Sequence, residues 1–182
     1  MGFTRLAFAD SLKDHVSELT GIPVCHFHGS LKNMPLSNPC FVYPNAVTYR
    51  DVLIQHAEVV RRTDPDVYSR CVLESIQGHG QCRRFVISDW RYRAEKDFLQ
   101  THLPSNIKLV TARVTRPGIL HMQHSTETEL DDETFDIHID NDGCISDLRD
   151  TLHHVIKPII SSDPARVISK LLYRQEYPFD DI

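Results

Sequence analysis

The residues of this chain best suited to chemistry are arginines and aspartates that follow apolar segments of the sequence. They are Asp10, Asp89, Arg91, Arg113 and Arg116, and Lys13, Arg61 and Arg62 extend the set. A guanidinium group binds two phosphate oxygens at once through its planar fork and keeps its charge at every physiological pH. The set therefore indicates binding of phosphate-like anions. Any one of these arginines, taken alone, is also explained as a solvated surface charge.

The elements that must position these residues are strands that alternate with helices. The apolar residues 85–88 predict a strand buried on both faces, and the alternation in residues 135–140 predicts a half-buried or edge strand. Further strands are predicted over residues 5–8 and 107–114. We therefore predict an α/β fold, a three-layer domain with a mainly parallel sheet. Ligands of such sheets bind beyond the carboxyl ends of the strands. Asp10, Asp89, Arg91, Arg113 and Arg116 fall at or just beyond predicted strand ends and are therefore expected along this edge.

The helices are predicted from capping residues and apolar periodicity. They begin at Asp10 or Ser11, at the capping box of Thr48 and Asp51, at Asp64, near Tyr92, and at Ser146. Three other segments lack such patterns. Residues 24–45 contain three prolines and predict a functional excursion, residues 115–133 are polar, and residues 165–182 are predicted to be a peripheral tail.

Composition narrows the class of protein. A chain of 182 residues predicts a single domain over residues 1–182, and its net charge of −5 argues against a protein that coats nucleic acid. No apolar run is long enough to span a membrane, and the first residues lack the apolar core of a signal peptide. Five irregularly spaced cysteines are typical of a reducing compartment. We therefore expect a soluble cytoplasmic protein.

Two groups of residues raise the question of a metal. Cys25, His26, His28 and Cys40 match the spacing of no common zinc module. Asp136, His138 and Asp140 project from one face of the predicted strand 135–140, where carboxylates and histidine can bind metal. The polar face of an amphipathic strand explains the same alternation and is the interpretation we favour. We predict no metal-ligating residues.

Three stretches together resemble the deoxynucleoside monophosphate kinases of phages and large DNA viruses. They are Phe8-Ala9-Asp10-Ser11-Leu12-Lys13, the region from Thr48 to Asp66 with its Arg-x-x-Asp-Pro-Asp run, and Ser88-Asp89-Trp90-Arg91-Tyr92 with Glu95. Their order and spacing match that family over about residues 4–150. Animal phosphomevalonate kinases share some of these features, so a small-molecule kinase of that type is an alternative.

The resemblance implies a function and a set of roles. The function is transfer of the ATP γ-phosphoryl group to a deoxynucleoside monophosphate, with ATP and Mg²⁺ as cofactors and nucleotides as partners. The implied catalytic residues are Lys13, Arg91, Arg113 and Arg116. The last two would close over the transferring phosphoryl group as lid residues, in a lid that begins near Arg113 and includes the lid-like segment 115–133. The implied substrate-binding residues are Asp10, Gln55, Arg61, Arg62, Asp89 and Trp90, with Asn141 near adenine. Trp90 stacking on a base and Gln55 bonding its edge are both equally compatible with packing roles.

One departure from the family is large. The sequence contains no G-x-x-x-x-G-K-[ST] phosphate loop, which holds the β- and γ-phosphates and Mg²⁺ in such kinases. The family's first strand, which is central to its sheet, is also missing. Either the sequence lacks an upstream segment, or it is a derivative that binds nucleotides or partners without catalysis. A missing central strand leaves two unpaired strand edges, so we expect self-association unless another segment fills the gap.

Overall fold

The structure is a computed structural model that describes residues 2–79, 84–118, 129–162 and 166–172. It contains a parallel sheet and helices, which confirms the α/β class. No helix in these described ranges is both long and apolar enough to cross a membrane.

The chain divides into two compact units, where the sequence predicts a single domain. The described parts of Met1–Ala7 and Ser69–Gln175 form the sheet unit, and Phe8–Tyr68 forms the helical unit. The division has a physical reason, because the helical unit buries apolar side chains of its own. Its core includes Val16, Phe27 and Val52, all of which are fully buried.

The sheet unit is built on five parallel strands. In chain order they are β1 (Thr4–Leu6), β2 (Arg84–Ile87), β3 (Lys108–Thr115), β4 (Ile137–Asp140) and β5 (Arg166–Leu172). Their order across the sheet is β1-β2-β5-β3-β4. The predicted edge position of β4 is confirmed, and β2 buries Phe85 and Ile87 completely. Since all five strands run the same way, their carboxyl ends share one edge of the sheet.

Strand β5 overturns the prediction that residues 165–182 form a peripheral tail. Its backbone pairs with β2 on one side and with β3 on the other, so residues 166–172 lie at the centre of the sheet. The physical reason is that β2 and β3 would otherwise each expose an unpaired edge. The gap that we expected another segment to fill is thus filled by this chain itself. Residues 173–182 lie outside the described residues.

The helices agree closely with their predicted positions. They are α1 (Phe8–Thr20), α2 (Tyr49–Thr63), α3 (Val67–Gly78), α4 (Arg93–His102) and α5 (Ile145–Ser162). The capping box is confirmed: the Asp51 amide donates to Thr48 Oγ1 over 3.2 Å, and Asp51 Oδ2 accepts from the Thr48 amide at 2.8 Å. Helix α1 begins two residues before Asp10, which therefore lies in its first turn rather than at its cap.

The predicted excursion over residues 24–45 is more ordered than its prolines indicate. It contains two short 3-10 helices, Val24–Phe27 and Gly29–Asn33, and Pro35 then forms an antiparallel bridge with Thr48. Phe27 is fully buried, so this segment contributes to the core of the helical unit. In the segment expected to form a lid, β3 continues to Thr115, and residues 119–128 lie outside the described residues.

Candidate functional site

The best-defined part of the candidate site is the loop between β2 and α4. The carboxylate of Glu95 is buried and accepts the backbone N–H groups of Arg91 and Tyr92 at Oε2, over 3.0 and 3.2 Å. The Ser88 amide donates to the Leu6 carbonyl of β1 over 3.2 Å. These bonds hold the backbone from both ends, so the half-buried side chains of Asp89 and Arg91 start from a fixed position.

Trp90 belongs to this loop but cannot stack on a substrate base, which corrects the expected role. Its ring is fully buried, and Nε1 donates to the Tyr92 carbonyl over 2.6 Å. The ring also lies against Phe135, with 5.4 Å between centroids. An indole with no exposed face packs the core, and here it supports the loop that carries Arg91.

Arg113 is the second correction. It lies within β3 rather than in a lid, and its Nη2 is 2.6 Å from Asp131 Oδ1. The guanidinium group also lies over the ring of Phe135, with Cζ 5.5 Å from the centroid. Its side chain is 16% exposed, and its ion pair with Asp131 joins it to the turn over residues 129–132. We therefore assign Arg113 a structural role, because its guanidinium group is bonded to Asp131 and is not available for a phosphate.

Arg116 lies at the carboxyl edge of the sheet, as predicted, and Asn141, which the resemblance places near adenine, lies at the same edge. Arg116 follows the last residue of β3 and Asn141 follows the last residue of β4. The two strand ends are joined, because the Asn141 amide donates to the Thr115 carbonyl over 2.7 Å. The sheet unit thus gathers four of the predicted site residues, Asp89, Arg91, Arg116 and Asn141, at one edge.

The remaining predicted site residues belong to the helical unit. Lys13 Nζ is 3.7 Å from Asp10 Oδ1 and 3.5 Å from His28 Nδ1, so two of the predicted residues meet on α1. On α2, Gln55 and Arg62 are seven positions apart and therefore share a face. Arg61 points elsewhere and lies over the ring of Tyr68, with Cζ 5.0 Å from the centroid.

Two of the residues considered as metal ligands, Asp136 and Asp140, have structural partners. Asp136 Oδ2 accepts both the backbone amide and the hydroxyl of Thr111, each over 2.8 Å, and Asp140 Oδ1 accepts the hydroxyl of Thr115. Each bond links β4, or the residue before it, to β3. In the described part of the chain no three side chains of His, Cys, Asp or Glu are grouped to hold a metal ion.

A buried polar cluster in the helical unit was missed by sequence reasoning. His56 is 3% exposed, its Nδ1 lies 2.5 Å from the hydroxyl of Tyr43, and its ring meets that of His15 edge to face at 4.8 Å. Among the described residues, His56 Nε2 has no hydrogen-bond partner. Burial and, second, the nearby His15 lower the pKa of His56 below its ordinary value. A single histidine on a helix carries no pattern that reveals such a cluster.

Comparison with known proteins adds no assignment. No protein-family model matches this sequence, and no curated protein or solved structure shows significant similarity to it.

Proposed function

We propose that this chain binds a nucleoside monophosphate and that arginines at the carboxyl edge of the sheet hold its phosphate group. The observation that carries the proposal is the Arg91 loop. A buried carboxylate, Glu95, accepts two consecutive backbone amides of that loop, and the buried ring of Trp90 lies beneath it. Such support is what a preorganised anion site requires, because a fixed donor loses little entropy when the ligand binds.

The neighbouring strand ends extend the same site. Arg116 adds a second guanidinium group beyond β3, and Asp89 adds a carboxylate beyond β2 that can accept a sugar hydroxyl group. Asn141 offers an amide with both donors and acceptors. This combination of two cations with neutral and acidic hydrogen-bonding groups suits a phosphate ester better than a free inorganic anion.

Phosphoryl transfer, which the resemblance implies, needs a site for ATP and Mg²⁺ that the described residues do not fit. The sequence has no phosphate loop, and the central strand β5 is followed in the sequence by Tyr173-Arg174-Gln175 rather than by glycines. We therefore propose nucleotide binding and derive no transfer step.

Binding is tested by calorimetric titration of the chain with each deoxynucleoside monophosphate and with phosphomevalonate. We expect a deoxynucleoside monophosphate to bind and Arg91→Lys to weaken it about ten- to a hundredfold, because an ammonium group cannot reproduce a bidentate contact. Arg149→Lys on the exposed surface of α5 is the matched control and should bind normally. Equal affinities for the Arg91→Lys variant and the unmodified chain would remove Arg91 from the site.

The kinase alternative has its own experiment. The chain is assayed with ATP, Mg²⁺ and each deoxynucleoside monophosphate, once as it is and once with a phosphate-loop segment placed upstream. Phosphoryl transfer by the extended chain alone would support the kinase hypothesis. If neither chain transfers the phosphoryl group but nucleotides still bind, the non-catalytic hypothesis is supported.

A further inference from the structure

Residues 21–49 of the helical unit present a surface without charge. Their sequence contains one lysine, Lys32, and no Asp, Glu or Arg, although 25% of the whole chain is charged. The side chain of Lys32 is buried, so this segment places no charged side chain at the surface. We call the exposed side chains of residues 21–49 the neutral face. Depletion of charge is typical of the central part of a protein–protein interface.

The neutral face is also rich in exposed apolar side chains. The described residues include ten large apolar side chains that are exposed, and six of them belong to this segment: Val24, Leu31, Met34, Phe41, Val42 and Val47. Phe41 is 99% exposed and Val47 is 68% exposed. Single exposed apolar residues are common on protein surfaces, but a group of them within one uncharged segment indicates a site of interaction.

Backbone pairing brings these side chains together. The Leu36 amide donates to the Val47 carbonyl over 2.9 Å, next to an antiparallel bridge between positions 35 and 48. Because side chains alternate along paired strands, Met34, Leu36 and Val47 lie on the same side of this short ladder. Leu36 also lines one cleft with Phe41 and Val42, which joins these two residues to the group.

Charged side chains lie at the border of the neutral face. Lys13 Nζ is 3.5 Å from His28 Nδ1, and Arg50 Nε donates to Asn33 Oδ1 over 2.8 Å. An apolar centre surrounded by polar groups is the arrangement found in specific protein–protein interfaces.

The partner that such a face fits is a second copy of the same chain. In a two-fold dimer a residue near the axis meets its own copy, so a charged group there would face the same charge. Ser37 and Asn38 are exposed, and each has both a donor and an acceptor with which to bond to its own copy. A nucleic acid or a strongly charged protein would gain no ion pair from the neutral face.

We propose that two copies of the chain associate through their neutral faces into a two-fold dimer. This interface differs from the association expected through unpaired strand edges, because β5 fills that gap in the sheet. The neutral face belongs to the helical unit, so the dimer does not depend on the proposed nucleotide site of the sheet unit.

The test is analytical ultracentrifugation of the full chain at concentrations from about 1 µM to about 1 mM, which covers dissociation constants in that range. We expect the mass to rise from the 21.0 kDa of one chain towards the mass of two chains. Phe41→Asp and Met34→Asp each place a carboxylate on the neutral face of both copies and should raise the dissociation constant at least about tenfold. Ile145→Asp is the matched control, because Ile145 is 70% exposed and belongs to the sheet unit.

Spectra recorded on dilution locate the interface. In ¹H–¹⁵N spectra of the unmodified chain, the amides of residues 21–49 should shift with concentration, whereas those of α5 should not. Melting temperatures of the three variants equal to that of the unmodified chain show that each variant folds.

Each outcome decides for or against the dimer. Two-chain association that Phe41→Asp or Met34→Asp weakens and Ile145→Asp does not, together with shifts in residues 21–49, supports the inference. A monomer over the whole concentration range overturns it, as does a dimer that all three substitutions affect equally or that neither substitution on the neutral face weakens. A mass that grows beyond two chains without limit also overturns it, because a two-fold interface closes on itself. Nucleotide binding by a chain that stays monomeric overturns the dimer and leaves the proposed nucleotide site standing.

Discussion

Strand β5 provides the sharpest test of the fold, through the substitution Ile168→Pro. Ile168 is in register with Val86 of β2 and with Val110 of β3, so it lies in the middle of the sheet. Proline has no N–H to donate, and its ring excludes it from central strands. We expect this one change to prevent β5 from occupying its position.

The magnitude follows from the pairing. Four positions of β5 pair with β2 and seven pair with β3. If the strand leaves, roughly ten backbone hydrogen bonds of about 1 kcal/mol each are lost, on the order of 10 kcal/mol. A typical domain has about 5–15 kcal/mol of stability in total, so the sheet unit should unfold or aggregate through its exposed edges.

The assay is thermal and urea denaturation followed by circular dichroism, with light scattering to detect association. Ile145→Pro is the matched control, because Ile145 is 70% exposed and occupies the first position of α5, where proline is tolerated. The control should melt like the unmodified chain. A soluble, monomeric Ile168→Pro variant with an unchanged melting temperature would refute the central position of β5.

Three further predictions concern buried or capping side chains. Glu95→Ala should lower the free energy of unfolding by about 2–4 kcal/mol in urea titrations, because two backbone amides lose their acceptor, while Glu74→Ala on the exposed surface of α3 should change little. The lowered pKa of His56 predicts that unfolding free energy falls as pH drops below 6.5, the ordinary value at which the unfolded chain takes up a proton, and levels off below the folded pKa. His56→Gln should remove the part of the difference in unfolding free energy between pH 7.5 and pH 5.5 that comes from His56. If His56 were solvated, the substitution would leave that difference unchanged. The Thr48 amide, the largest cause, holds the pKa of Asp51 below 3.8, so Asp51 stabilises the fold above that pH and loses this effect as pH falls through its folded pKa. Asp51→Ala should therefore cost about 1 kcal/mol at pH 7 and less near pH 2, measured by urea titration.

Local chemistry explains which elements could be predicted. The capping box of α2 and the strand β2 each depend on a few adjacent residues, and both are confirmed. Strand β5 was missed because Ser169 and Lys170 interrupt its apolar residues, so the segment shows neither alternation nor a continuous apolar run. Its place depends on edges of β2 and β3 that lie far away in the sequence.

The candidate site likewise contains residues whose position could be predicted from the sequence and residues whose position could not. The positions of Asp89, Arg91 and Arg116 at the carboxyl edge can be predicted because strand ends in a parallel sheet must meet there. Asn141 lies at the same edge, but only the resemblance singles it out. Trp90 and Arg113 were misassigned because residue type does not reveal burial or a partner. The sequence pattern cannot show that Phe135 packs against both of them.

The late position of β5 in the sequence also has a consequence for synthesis. Residue 84 pairs with residue 166, so the central ladder closes over 82 positions of chain. Leu172 at the end of β5 lies 57 residues after Thr115 at the end of β3, a length that takes roughly 3–11 s to synthesise at about 5–20 residues per second. Throughout that interval the nascent chain presents the facing edges of β2 and β3 without their partner. We therefore expect the nascent chain to be most prone to edge-to-edge association before β5 has been synthesised, and the sheet to be completed only afterwards.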